Sequence, residues 1–359
     1  ATITNSLFED NYADDDGGVF YGAGNGDSQF SLVISGSEFR NNYADSDGGA
    51  IALYNTENDT SGLSGLYIAN STFSGNSSYR GGAISTDGYN GDMVVYETDF
   101  NNNTTDSYGG ALYVRYKTDA YFNNVSFDNN MSEYGSGGVI YLYNNTTGNN
   151  LDFHHCSFTN NSSNGAGGVI YSNYRDGDTE LNIYSSNFIN NTSGSDGGVL
   201  FLSQGTTYIE SSTFAGNTNT DHGGSVMFLY RDNQTTNIVN STFVNNEASV
   251  NADNSGYGYA FWVYGPYGNQ LDLNNCTVAF NTGTGTLNAW NSNIYLSSTI
   301  VAGNSGRDIH RYENGNVISN GNNIIGNLDS TGVFTIDDDN GMDWVGGYDD
   351  STGGIISGD

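Results

Sequence analysis

Basic residues are scarce. Lysine and arginine number 8 against 40 aspartates and glutamates, a formal charge of −32. That balance excludes nucleic acid as a partner, because counterion release needs a basic face. Anionic membranes are disfavoured for the same reason. The charge fits a soluble extracellular protein, a high-salt habitat, or divalent cation binding. No run approaches the ~18 apolar residues of a membrane span, and no cleavable leader is visible. Hydrophobic residues reach 36%, low for one large globular core, yet 13% aromatics is too rich for a disordered chain. With one proline, the bends fall to Asn, Ser, Thr, Asp and 50 Gly, so strands must be short and turns frequent. Ala1 opens inside a repeat, as expected of a processed chain or a piece of a longer one.

What is present is a repeat. Phe-x-x-Asn occurs nine times, at Phe8/Asn11, Phe39/Asn42, Phe73/Asn76, Phe100/Asn103, Phe127/Asn130, Phe158/Asn161, Phe188/Asn191, Phe214/Asn217 and Phe243/Asn246. The first eight copies are followed by Gly-Gly, from Gly17-Gly18 to Gly223-Gly224; the ninth keeps Gly258. Val278/Asn281 and the region of Ile300 are degenerate final copies. Periods run from 22 to 35 residues, and self-similarity on that scale means a solenoid.

The columns of the repeat say which kind. Five residues before each Phe stands an apolar residue (Ile34, Ile68, Val95), and two before it a small one (Ser37, Ser71, Thr98). Seven before it stand Leu32, Leu66 and Met93, so positions −7 and −5 alternate as a strand does, and so do −2 and the Phe, but between −5 and −2 the phase slips by one, which demands a sharp bend. Asn5, Asn70, Asn124, Asn240 and Asn275 stand at the slip, where Asn tolerates a left-handed backbone. A third strand follows Gly-Gly, with the column Phe20, Ile51, Ile84, Leu112, Ile140, Ile170, Leu200, Val226 and Phe261 directed inward. The pattern predicts an all-β, right-handed parallel β-helix of three short strands per turn and about eleven rungs, roughly 50 Å long at strand spacing. In it Phe fills the interior once per turn, the Asn after it starts a bend, and Gly-Gly turns a corner. Residues 1–265 form the regular part, 266–327 complete degenerate turns, and 328–359 make an irregular acidic cap. Cys156 and Cys276 both fall in the small interior column, four rungs or about 19 Å apart by strand spacing. They are therefore buried thiols in place of Ser, beyond disulfide reach.

Phe-x-x-Asn coupled to Gly-Gly-Ala-(Ile/Leu/Val) resembles the paired tetrapeptides of chlamydial polymorphic outer-membrane adhesins, and is similar to adhesin-like β-helix proteins of methanogenic archaea. The resemblance spans roughly residues 1–265. Ser298–Asn304 and Asn320–Asn327 resemble the closing turns of secreted pectin-lyase-like proteins. The resemblance implies a secreted or surface-exposed passenger used for attachment, and implies no catalytic residue.

Function should sit on the solvent side of the third strand. The position after its inward column reads Tyr21, Ala52, Ser85, Tyr113, Tyr141, Tyr171, Phe201, Met227 and Trp262, six aromatics where composition gives about one. Two residues on come Tyr54, Tyr143 and Tyr264. An exposed aromatic ribbon results, suited to stacking sugar rings or to a protein partner. The bland alternative is that Tyr simply stabilises sheet surfaces. Length variation gathers after the same strand, at Asn55–Gly65, Asp87–Gly91, Asn144–Asn150 and Asn173–Glu180, as it does beside a binding face or on any solvated loop. Asp14 should lie over Asp45, and Asp16 over Asp47, about 5 Å apart at strand spacing. Ca²⁺ would bridge such pairs; otherwise the acids are solvated. Asp337, Asp338, Asp339 and Asp343 do not fit a Ca²⁺ loop. Sequons begin at Asn70, Asn76, Asn103, Asn124, Asn130, Asn145, Asn161, Asn191, Asn233, Asn240 and Asn275, a by-product of Asn beside Ser columns or a set of glycan sites.

The leading expectation is a non-catalytic, extracellular or cell-surface adhesin-like protein whose partners are glycans or surface proteins. One alternative is a filament subunit joined head to tail through its ends. The other is a polysaccharide lyase or glycoside hydrolase. For a lyase only Arg115, with Lys117 nearby, lies on the right stripe. Asn219-Thr220-Asp221 is a lone three-residue match to a hydrolase element. His154 and His155 point to opposite faces and cannot chelate together, and His222 has no evident partner.

Overall fold

In the computed structural model, residues 1–24, 31–55, 65–87, 91–115, 118–144, 150–174, 179–203, 205–221, 223–231, 233–249, 258–266, 268–327, 335–336 and 344–345 are described. They form strands and turns in a parallel β-helix. A representative turn runs through Asn150–His154, Ser157–Thr159, Ser162–Ser163 and Ile170–Tyr174. These belong to a first, second, third and fourth sheet of thirteen, thirteen, nine and eleven strands, each strand paired with its counterparts one turn away. Eleven turns therefore carry the three strands expected. The third sheet is an addition: its strands are mostly two residues long, too short for any alternation to be read from sequence. No helix of the described residues is long and apolar enough to cross a membrane.

The phase slip between the first two strands is a left-handed residue. Asn5, Asn70, Asn124, Asn240 and Asn275 take φ of 48°, 49°, 56°, 53° and 54°. A second left-handed residue follows each Phe by two, as at Asn102, Asn129 and Asn160 (φ 54°, 53° and 56°). This corrects the role of the repeat Asn, which comes one residue later and does not itself make the bend. It is fully buried, as at Asn103 and Asn130.

The interior is built of columns. From Phe8 to Phe243, nine Phe rings stack with centroids 4.5–5.1 Å apart. Beside them a ladder of side-chain amides runs from Asn11 to Asn304, each Nδ2 donating to the next Oδ1 at 2.8–3.0 Å. The second proton is used as well: Asn103 Nδ2 donates to the Phe73 carbonyl at 2.9 Å. Both lone pairs are matched, since Asn103 Oδ1 accepts from Asn76 N at 3.1 Å and Asn76 Nδ2 at 3.0 Å. A buried amide so completely satisfied costs little to desolvate and fixes register. Cys156 and Cys276 are free and buried, as their place among the Ser residues requires. Burial pushes both thiols up to about 11.

Gly-Gly closes the turn. Gly109 takes φ +71°, and a Cβ on Gly110 would strike the Gly138 carbonyl of the next turn. In the eighth copy the frame moves by one. Gly224 (φ +81°) takes the left-handed place and Ser225 the second, so Leu200 pairs with Met227 and Phe201 with Phe228. Met227 is thus an interior residue, and the outward aromatic of that turn is Phe228.

Candidate functional site

The outer face of the fourth sheet carries the aromatic row, now Tyr21, Tyr113, Tyr141, Tyr171, Phe201, Phe228 and Trp262. It faces outward but is not an exposed ribbon. Tyr113, Tyr141, Phe201 and Trp262 retain 4%, 6%, 7% and 8% of their accessible surface, and only Tyr21 is open, at 53%. Two causes account for this. Rings one strand apart cover each other's faces: Tyr113–Tyr141, Tyr141–Tyr171 and Tyr171–Phe201 stack at 5.7, 5.0 and 4.6 Å with interplanar angles of 15°, 17° and 18°. The residue just before Gly-Gly then folds against the row's flank. Tyr108 packs on Tyr141 at 4.4 Å, the Arg80 guanidinium lies 5.1 Å over Tyr113, and Ala166 joins the same cluster.

Past Phe201 the order breaks. Phe228 is tilted 56° to Phe201 and Trp262 46° to Phe228, while Tyr264 meets Trp262 at 69° and Trp290 at 74°. Phe228 and Trp262 stay buried, at 5% and 8%, while Tyr264 and Trp290 are half-buried. They line an open groove of about 410 Å³ with Asp196, Phe201, Phe228, Tyr230, Trp262, Tyr264 and Trp290. Tyr312 continues the line, 4.2 Å from Trp290. Of the second row expected from sequence, Tyr264 thus enters the groove. Tyr143 lies under Arg115 at 5.5 Å, and Tyr54 is bound to Asp47. Phe228, Tyr230, Trp290 and Tyr312 were not foreseen. The frame shift hid the first, and Trp290 and Tyr312 lie in the degenerate turns.

Each pair of acids converges on a tyrosine hydroxyl. Tyr12 donates to Asp45 at 3.3 Å. With Asp14 as its other partner, its phenol is pushed up to about 12. Tyr54 donates to Asp47, and lies 3.5 Å from Asp16. Asp47 is also held by Arg80 through Nε at 2.6 Å and Nη2 at 2.8 Å. Among the described residues no three His, Cys, Asp or Glu side chains come together to hold a metal ion.

Arg115 is paired with Asp87 at 2.9 Å. His154 stacks between Tyr121 and Tyr184 at 5.1 and 4.6 Å, while His155 sits at a bend with φ 55°. Asn219 is buried in the third sheet. Lys117, His222, Asn145, the acidic residues from Asp337 to Asp343 and most of the length-variable segments lie outside the described residues.

Residues 36–54, 70–87, 97–115, 124–143 and 155–173 match the Chlamydia polymorphic membrane protein repeat. These five stretches, about a quarter of the chain, are similar to that repeat. Each matched stretch runs from the first bend through Phe-x-x-Asn and Gly-Gly into the fourth-sheet strand. The polymorphic membrane protein repeat is thus one turn's worth of bend, ladder and corner. The groove residues lie C-terminal to all five stretches. No curated protein matches the chain, and no solved structure does.

Proposed function

We propose that this protein is a non-catalytic, cell-surface adhesin-like rod that holds an extended glycan in the groove around Trp262 and Trp290. The matched repeat supports the surface location, since polymorphic membrane proteins are outer-membrane or surface-associated. The observation that carries the ligand is the change of ring geometry. Along Tyr113–Phe201 the rings stack in parallel, whereas Phe228, Trp262, Tyr264 and Trp290 meet at steep angles around a concave opening, where Tyr264 and Trp290 keep part of their surface. Pyranose rings stack on such faces, and a groove along the solenoid axis suits successive residues of a polymer.

Two of the three tryptophans, Trp262 and Trp290, line the groove, so their emission reports occupancy. Titration of a panel of oligosaccharides should change that emission. Trp262→Ala and Trp290→Ala should each weaken binding on a glycan array while Tyr141→Ala, in the closed part of the row, leaves it intact. Equal binding by all three variants would overturn the reading.

A further inference from the structure

The groove has a sign as well as a shape. Its wall includes the Asp196 carboxylate, one oxygen of which accepts the Gly223 N–H at 3.3 Å. Aromatic π faces are electron-rich and attract cations, most strongly at Trp. The same outer face already holds three cations of the chain this way: Arg80 over Tyr113 at 5.1 Å, Arg115 over Tyr143 at 5.5 Å and Arg231 over Tyr230 at 5.8 Å. That is three of only 8 Lys plus Arg, each packed over a ring of the fourth sheet in a chain with net charge −32. A uronic-acid polymer would bring its carboxylates against Asp196 in a chain of net charge −32. A neutral sugar would gain stacking alone. A sugar bearing an ammonium group gains stacking, cation–π attraction and the carboxylate together.

We infer that the groove selects a cationic glycan, one whose pyranose rings carry free, protonated amines. This rests on the glycan reading above and adds the charge of the ligand. The sugar rings lie against Tyr264 and Trp290, the half-buried rings of the groove, and the ammonium substituent points toward Asp196.

The test uses the intact chain at mildly acidic pH, with four probes: a fully deacetylated chitosan hexamer, its N-acetylated counterpart, hexagalacturonate and hexalysine. Tryptophan emission and calorimetry are the readouts. The deacetylated hexamer should bind about tenfold more tightly than the acetylated one, the gain expected of a partly desolvated cation–π contact with a carboxylate beside it. Asp196→Asn should remove that advantage while leaving binding of the acetylated hexamer unchanged. Trp290→Ala should weaken both sugars. Equal binding of the two hexamers overturns the inference and leaves the glycan reading standing. Failure of all three sugars to bind overturns both. Hexalysine binding as tightly as the aminated sugar, or amine selectivity that survives Asp196→Asn, also overturns the inference, because diffuse attraction to an acidic surface then explains the result.

Discussion

Asn103 Nδ2 donates to Asn130 Oδ1 at 3.0 Å, and both residues are completely buried. The contact repeats turn after turn, so breaking one rung strands groups on two sides. In Asn130→Ala the Asn103 Nδ2 and N lose their acceptor, and the Phe100 carbonyl loses its donor at 2.8 Å. Each orphaned buried group costs about 1–3 kcal/mol. Asn130→Ala should therefore destabilise the solenoid by about 3 kcal/mol or more in urea unfolding, comparable to the 3–5 kcal/mol typical of a core Phe→Ala change such as Phe127→Ala. An effect below about 1 kcal/mol, the net worth of one ordinary hydrogen bond, would mean the ladder is incidental.

The ladder also divides the sequons. Asn76, Asn103, Asn130, Asn161 and Asn191 are fully buried, and their Nδ2 groups are committed to the ladder. The bend residues Asn70, Asn124, Asn240 and Asn275 are exposed. Secretion from a glycosylating host should yield folded molecules with sugar on bend asparagines and none on ladder asparagines. Peptide mapping by mass spectrometry reads this directly; glycan on Asn103 or Asn130 of folded protein would contradict the buried ladder.

Much of this architecture was legible because a solenoid turns each alignment column into a physical row. Phe73 lies on Phe100 and Phe127, and Cys156 lies in a Ser column, donating its thiol proton to the His154 carbonyl at 3.4 Å. Direction was legible too, since alternation says which side a residue faces. Coverage was not. Tyr141 faces outward and is still buried, because Tyr113, Tyr171 and Tyr108 close over it. A signal for that cover existed in the residue before each Gly-Gly. Asp47, Arg80, Tyr108, Ser136, Ala166 and Asp196 hold this place, and their carbonyls each accept the first glycine N–H of the preceding turn. Reading that column against the aromatic one would have located Arg80 on Tyr113 and Asp196 at the groove. Phe228 escaped because the left-handed glycine, not the dipeptide, sets the frame.

Arg80 and Asp47 make the next prediction. Asp47 is fully buried with two short contacts to the guanidinium, and Arg80 also caps the Tyr113 ring. Removing one member of a buried pair leaves an uncompensated charge and typically costs about 3–5 kcal/mol, whereas replacing both is far milder. Arg80→Met should destabilise strongly, and Asp47→Ala added to it should recover part of the loss. A double variant as unstable as the sum of the two single changes would show that the pair is not coupled.

The lower end of the amide ladder is a carboxylate. Asp308 accepts from Asn304 Nδ2 at 2.7 Å and from Asn327 N at 2.5 Å, and it is 1% exposed. Burial outweighs these hydrogen bonds and pushes its pKa from 3.8 up to about 6. The folded chain then binds this proton more tightly than the unfolded one. Stability from this group is present below about pH 4 and falls as pH rises through about 6, by roughly 3 kcal/mol for a shift of this size. Asp308→Asn cannot ionise, so its unfolding free energy should lack that decline. Denaturant titrations of both proteins between pH 4 and 7 measure it. Parallel pH profiles would place the Asp308 proton affinity at its ordinary value and the carboxylate in contact with water.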